Sequence, residues 1–164
     1  MGHSLSAILG KESATTHFAS RWVLATPIDL PQGLRLIPLT IRLHEDIDEL
    51  VNSHQPEPFD EFSYLSASVV EAIIQSSHAG ALAYIETDYF GGVGSQAAVL
   101  WDGGKIASGP HKHTVYGDVA TQDSKESGIL AINLVLKNLG VWCKANQDEF
   151  DAIGLSRFRS THKL

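Results

Sequence analysis

The sequence predicts an α+β fold: a mainly antiparallel sheet with two main helices packed on one face. Three observations predict it. Short apolar runs over 81–120 are separated by glycine-rich turn signals, as in hairpins. Two segments, 63–77 and 124–139, carry apolar residues at helical spacing. The order of elements is strands, helices, strands, helix, which is not the regular alternation of a parallel sheet.

Taken along the chain, residues 1–17 read as a flexible lead-in, with Met1-Gly2-His3 as a vector remnant, and 18–164 as a single α+β domain. Residues 18–26 suit a strand, being rich in aromatic and branched residues and ending before Pro27. Pro31-Gln32-Gly33 reads as a turn. Leu34 to Leu43 partly alternates, and Pro38 makes it an edge strand or a broken one, because proline cannot donate to a ladder. Glu45 to Asn52 is a short acidic helix, and the two prolines in 54–60 make that stretch a loop. In the helix over 63–77, Val69, Val70, Ile73 and Ile74 form the buried stripe, and Gly80 follows its end.

The hairpin region divides into Ala81–Phe90, Ser95–Trp101, Lys105–Ser108 and His113–Ala120. For the helix over 124–139, Asp123 and Glu126 form a capping box. Ile129, Ile132, Leu136 and Leu139 line one face, and Gly140 ends the helix in a left-handed conformation. The tail turns basic at Arg157, Arg159, His162 and Lys163.

Composition narrows the function classes. Of 164 residues, 43% are hydrophobic and 19% charged, a globular balance. The net charge of −7, from 12 Lys+Arg against 19 Asp+Glu, disfavours a nucleic-acid binder and permits a basic protein partner. The single cysteine, Cys143, rules out an internal disulfide and a cysteine-rich zinc site, and reads as an inert thiol. No apolar run reaches the roughly 18 residues of a membrane span, and no basic start marks a secretory signal, so a cytoplasmic protein is expected.

The most distinctive stretch is Ala83 to Trp101. Alternation puts Tyr84, Glu86, Asp88 and Phe90 on one strand face, with Glu86 and Asp88 about 7 Å apart. Two such carboxylates can act on one another, bind a cation, or face a basic partner. Gly91-Gly92-Val93-Gly94 superficially resembles a phosphate cradle. But a strand follows rather than a helix, and no Gly-Lys-Ser/Thr ending is present, so the glycines are hairpin-loop residues. Ser95 does not sit in a Gly-x-Ser-x-Gly elbow. His111 and His113 are the one close histidine pair, and with Asp118 they offer the elements of a facial metal site. Lys112 between them and Pro110 beside them favour a surface loop instead, so neither metal nor cofactor is expected. Glu45, Asp46, Asp48, Glu49, Glu57, Asp60 and Glu61 form an acidic run without Lys or Arg, a candidate surface for a basic partner. Phe59 and Phe62 within it are candidate interface anchors or core residues.

Glu86 to Gln96, Trp101-Asp102-Gly103-Gly104, Ile132-Asn133 with Leu136 and Leu139-Gly140-Val141, and Asp148-Glu149-Phe150-Asp151 with Gly154-Leu155 together resemble small uncharacterised bacterial proteins, some of them the immunity partners of polymorphic toxins. The resemblance covers about residues 81–159 and brings no catalytic motif. It implies a bacterial cytosolic protein that binds and neutralises a toxin, and the acidic balance suits a basic one. The leading expectation is therefore a non-catalytic protein-binding domain, an immunity-like inhibitor of a basic toxin, with Glu45, Asp46, Asp48, Glu49, Phe59 and Phe62 in its surface. One alternative is a small enzyme in which Glu86, Asp88, His111 and His113 converge on a pocket. The other is a structural module forming a homodimer through strand edges.

Overall fold

The computed structural model describes residues 2–53, 56, 59–116, 119–121 and 130–164. Its elements are β1 (His3–Lys11), α1 (Glu12–Arg21), β2 (Ile28–Asp29), β3 (Leu34–Pro38), α2 (Ile41–Val51), α3 (Ala67–Ser76), β4 (Leu82–Phe90), β5 (Val93–Asp102), β6 (Lys105–Tyr116), β7 (Val119–Thr121), α4 (Ala131–Asn138) and α5 (Glu149–Ala152). The strands form one sheet in the order β2-β3-β1-β4-β5-β6-β7. Every described neighbouring pair is antiparallel, as an α+β fold requires.

The helices do not share one face. α1, α2 and α3 pack on the side of Ile8, Tyr84, Val99 and Trp101. α4 packs on the other side, against Leu5, Ala7, Leu9, Ile85, Ala98 and Leu100. The expectation of two helices on one face is thus corrected to helices on both. The physical reason lies in β4, where Leu82 to Thr87 are buried without interruption. A sheet covered on both faces shows continuous burial instead of alternation. Each large apolar side chain in these layers contributes about 1.5–3 kcal/mol by leaving water.

The first 17 residues are not a lead-in. β1 lies near the middle of the sheet, between β3 and β4, and is buried from Ala7 to Gly10. His3 pairs with Tyr89 in the ladder, and its Nδ1 lies 2.7 Å from the Thr87 hydroxyl oxygen. The strand expected over 18–26 is instead the end of α1 and a connection. Phe18 and Trp22, four residues apart, are buried together, while Val23 is 92% exposed. Helical spacing, not alternation, explains that pattern.

β3 ends at Pro38, where the sequence placed a break, and only the two-residue β2 lies beyond it. α2 starts four residues before the expected helix because the Thr40 hydroxyl caps it, accepting the Leu43 N–H at 3.2 Å. Leu43 and Ile47 form its buried stripe. α3 is capped by Ser66 and buries Val69, Val70 and Ile73 as expected.

The glycine run after β4 is a tight two-residue turn. Gly91 and Gly92 both have positive φ, and Phe90 pairs with Val93. That is the backbone a type I′ connection needs. Gly94 is required for a different reason: a Cβ there would press on the Asp88 carbonyl and lie 2.7 Å from Tyr89 Cα. Lys105 to Tyr116 forms one strand, not the ends of two. The expected capping residues Asp123 and Glu126, with Ile129, lie outside the described residues. In α4 itself, Ile132, Leu136 and the following Leu139 are buried. Gly140, at φ 85°, donates to Lys137 O, and Val141 donates to Leu136 O. These two bonds close the helix in a Schellman motif.

Candidate functional site

β3 pairs with β1 only from Ala7 to Lys11, which leaves the outer edge of Ser4 to Ser6 to another segment. The C-terminal tail takes it. Ser4 N–H donates to Arg159 O at 2.8 Å, Ser4 bridges Ser160, and Ser6 N–H donates to the Thr161 hydroxyl oxygen at 2.7 Å. Leu39 N–H, just past β3, donates to Ser6 O. A cavity of about 460 Å3 opens at this junction. Ser4 and Ser6 come from β1, Leu39 from the link after β3, and Ile41, His44 and Glu45 from the start of α2. Ser63, Tyr64 and Ser66 come from the loop before α3, and Thr161 and His162 from the tail.

Two internal clamps hold the 63–66 wall. The Glu86 carboxylate, 7% exposed, accepts Ser63 N–H at 2.8 Å, Tyr64 N–H at 2.7 Å and the Tyr84 hydroxyl at 2.8 Å. Burial, then the charge of Glu86, pushes the Tyr84 hydroxyl well above its usual pKa, so it remains a donor. The second clamp centres on Asp48. Its Oδ1 accepts the Ser66 hydroxyl at 2.7 Å, and its Oδ2 lies 3.0 Å from His44 Nδ1. His44 Nε2 lies 3.1 Å from the Tyr64 carbonyl oxygen. Both imidazole nitrogens are therefore engaged within the fold. Ser66 contacts the carboxylate rather than the imidazole, so the trio lacks the serine-to-histidine bond of an activated nucleophile.

The expected site residues divide. Glu45 lines the cavity and is exposed, Glu49 is exposed one turn further along α2, and Asp46 is half-buried. Asp48 is occupied by Ser66 and His44. Phe62 is a core residue rather than an interface anchor, and the half-buried Phe59 packs on the edge of that core. Phe62 is 6% exposed and packs edge-on against Tyr84, and Phe59 lies against Phe62 and Trp101. Asp60 is exposed and Glu61 half-buried, and Glu57 lies outside the described residues.

Glu86 and Asp88 do not meet the histidines. Glu86 pairs with Ala97 and Ala97 with Lys112, whereas Thr87, Gln96 and His113 form the neighbouring row. Ile85, Ala98 and His111 form another row of the same parity. Directly paired residues in antiparallel strands share a face. His111 and His113 therefore lie on the α4 side and Glu86 on the α3 side. His111 Nε2 is 2.9 Å from the Ser108 hydroxyl, which in turn accepts from Asn138, the last residue of α4, at 3.4 Å. The expected convergence of the four is corrected by sheet parity. Among the described residues, no three His, Cys, Asp or Glu side chains cluster as metal ligands, and Asp118 is not among them. Local desolvation, then the carboxylate of Glu149, pushes the Cys143 thiol up, the reverse of an activated nucleophile.

Sequence reasoning missed the cavity and most of its walls. Ser4 and Ser6 lay in the supposed lead-in, and Tyr64, Thr161 and His162 carry no motif. The hydroxyl pair Thr40 and Ser66, each three residues before a hydrogen-bonded helical N–H, was the available signal, since it marks the two helix starts that bound the cavity. Among the described residues, no helix is long and apolar enough to cross a membrane. Comparison with models of protein families, with curated proteins and with solved structures finds no match.

Proposed function

We propose that this chain is a non-catalytic protein-binding domain of the bacterial cytoplasm that meets a basic partner across the start of α2, as an immunity-like inhibitor meets a basic toxin. One observation carries the reading. The exposed Glu45 and Glu49, one helical turn apart, stand beside a cavity whose mouth also presents Ile41 and Tyr64, 58% and 56% exposed. Apolar surface rimmed by charge of one sign is the composition of a recognition surface. The groups suited to acid–base work are arranged otherwise: Glu86 and Asp48 hold the loop before α3, and the histidine pair lies across the sheet.

The test begins with capture from the source cells on the immobilised chain, followed by purification of the basic protein retained. Charge reversal at Glu45, Asp46 and Glu49 is expected to slow association and flatten its dependence on salt. A stoichiometric loss of the partner's activity in the complex supports the inhibitor role. Unchanged association rates on charge reversal overturn the α2 surface as the binding face.

A further inference from the structure

The cavity beside α2 has the lining of a receptor for a single cationic side chain. Its volume, about 460 Å3, falls within the roughly 300–1,000 Å3 of sites that engulf small ligands. Among the described residues, no Lys or Arg lines it. Asp48 and the Tyr64 carbonyl engage both nitrogens of His44, and His162 stands on the tail wall. Among the described residues, Glu45 is therefore the lining group that brings a full charge without a partner. Among the described residues, the hydroxyls of Ser4, Ser63 and Tyr64 make no hydrogen bond. An anion entering here would meet Glu45 with no lysine or arginine to offset it. A cation would meet one carboxylate and the hydroxyl acceptors of Ser4 and Ser63, with the Tyr64 ring beside them.

We propose that the cavity receives an arginine side chain of the protein partner, with Glu45 as its carboxylate and the ring of Tyr64 as its stacking face; this rests on the protein-binding reading. The guanidinium group spreads five N–H donors in one plane, which matches acceptors distributed around a wall. Its planar face stacks on aromatic rings, and the half-exposed Tyr64 ring offers one at the mouth. Leu39 and Ile41 give apolar cover for the methylene stem. Lysine fits less well, because its ammonium is a compact, strongly hydrated charge with three donors. The wall is set before binding, since Glu86 fixes the Ser63 and Tyr64 backbone and Thr161 fixes Ser6. Little ordering is left for the ligand to impose.

The probe is N-acetyl-arginine methylamide, titrated into the full chain and followed by the backbone amide signals of Ile41, Ser63 and Tyr64. Saturable shifts confined to the cavity are expected, with weaker binding of the lysine analogue and none of the uncharged citrulline analogue. Glu45→Gln is expected to weaken binding about fivefold, near the upper end for an exposed ion pair. Glu71→Gln, on the exposed side of α3, is expected to leave it unchanged. Absence of saturable shifts, or equal binding by citrulline, or a Glu45→Gln chain that binds like the native one, overturns the proposal. If partner association follows the α2 charges while the arginine probe fails, the cavity assignment falls and the protein-binding reading stands. If the probe binds and depends on Glu45 while charge reversal leaves partner association untouched, the cavity stands as a site for a free arginine-like ligand, and its assignment to a partner's side chain falls with that reading.

Discussion

Glu86→Gln tests the clamp that positions the cavity wall. The substitution is nearly isosteric and leaves no void, so its effect isolates charge and acceptor count. Glu86 accepts three hydrogen bonds at 2.7–2.8 Å, and glutamine keeps one acceptor oxygen while turning an amide NH2 toward Ser63 or Tyr64 N–H. One bond to a charged acceptor is lost, which costs about 1.5–3 kcal/mol, and the remaining two become neutral and weaker. Burying an amide in place of a carboxylate offsets part of this. A net loss of about 2–3 kcal/mol is expected, or roughly 4–12 °C in Tm for a chain of this length. Urea unfolding followed by tryptophan fluorescence is the assay, and Trp101 reports directly because it belongs to the same buried cluster as Tyr84. Tyr84→Phe removes the buried donor, so in that background Glu86→Gln is expected to cost about 1 kcal/mol less. A Glu86→Gln chain within about 0.5 kcal/mol of the native one, or no coupling to Tyr84, refutes the clamp.

Two further outcomes come from single positions. Gly94→Ala is expected to lose about 2–4 kcal/mol in the same unfolding assay, because its Cβ would press on the Asp88 and Tyr89 backbone at a φ of 145°. Gly91→Asn, three residues earlier in open space at a φ of 62°, is expected to stay near native, and equal losses at both sites would refute the distinction between close approach and turn geometry. Burial lowers the pKa of His3 from its ordinary 6.5, Arg159 adding to this and the Leu155 carbonyl partly offsetting it. The unfolded chain therefore binds this proton first, and stability falls as the pH drops below about 6.5 toward the lower folded value. His3→Gln, which leaves Thr87 a polar neighbour, is expected to flatten the change in urea midpoint across that window, and an unchanged slope would count against it.

Much of the scaffold could be read from local chemistry. The stripes of α3 and α4, the hairpin of β4 and β5, the break at Pro38 and the stop at Gly140 depend on residues within a few positions of one another. β1 could not be read the same way. Its Ser, Ala and Gly residues give weak strand propensity, and it becomes a strand because β3 and β4 flank it. α1 failed for the opposite reason: its aromatic residues look strand-like until tertiary packing fixes their spacing. The separation of Glu86 from the histidines was legible in principle. The two-residue turn at Gly91-Gly92 pairs Glu86 with the odd-numbered Ala97, and the turn at Gly103-Gly104 pairs odd residues of β5 with even ones of β6. Two successive one-residue shifts near Leu100 leave that parity intact, so the odd-numbered His111 and His113 fall on the far face. The cavity was not legible, because positions 4, 44, 63 and 162 meet only once the sheet has closed.

The docking of the tail on β1 also bears on how the fold is reached. The Ser6 and Thr161 pairing spans 155 residues, and Ser4 N–H waits on the carbonyl of Arg159. Leu155 and Phe158, just before that segment, help fill the layer under α4. Contacts so remote in sequence form late, since loop closure must precede them and topologies rich in them fold slowly. Until then β1 carries an open edge over Ser4 to Ser6, a template for stray strands. The stretch that walls the cavity is thus also the one that covers this edge of β1.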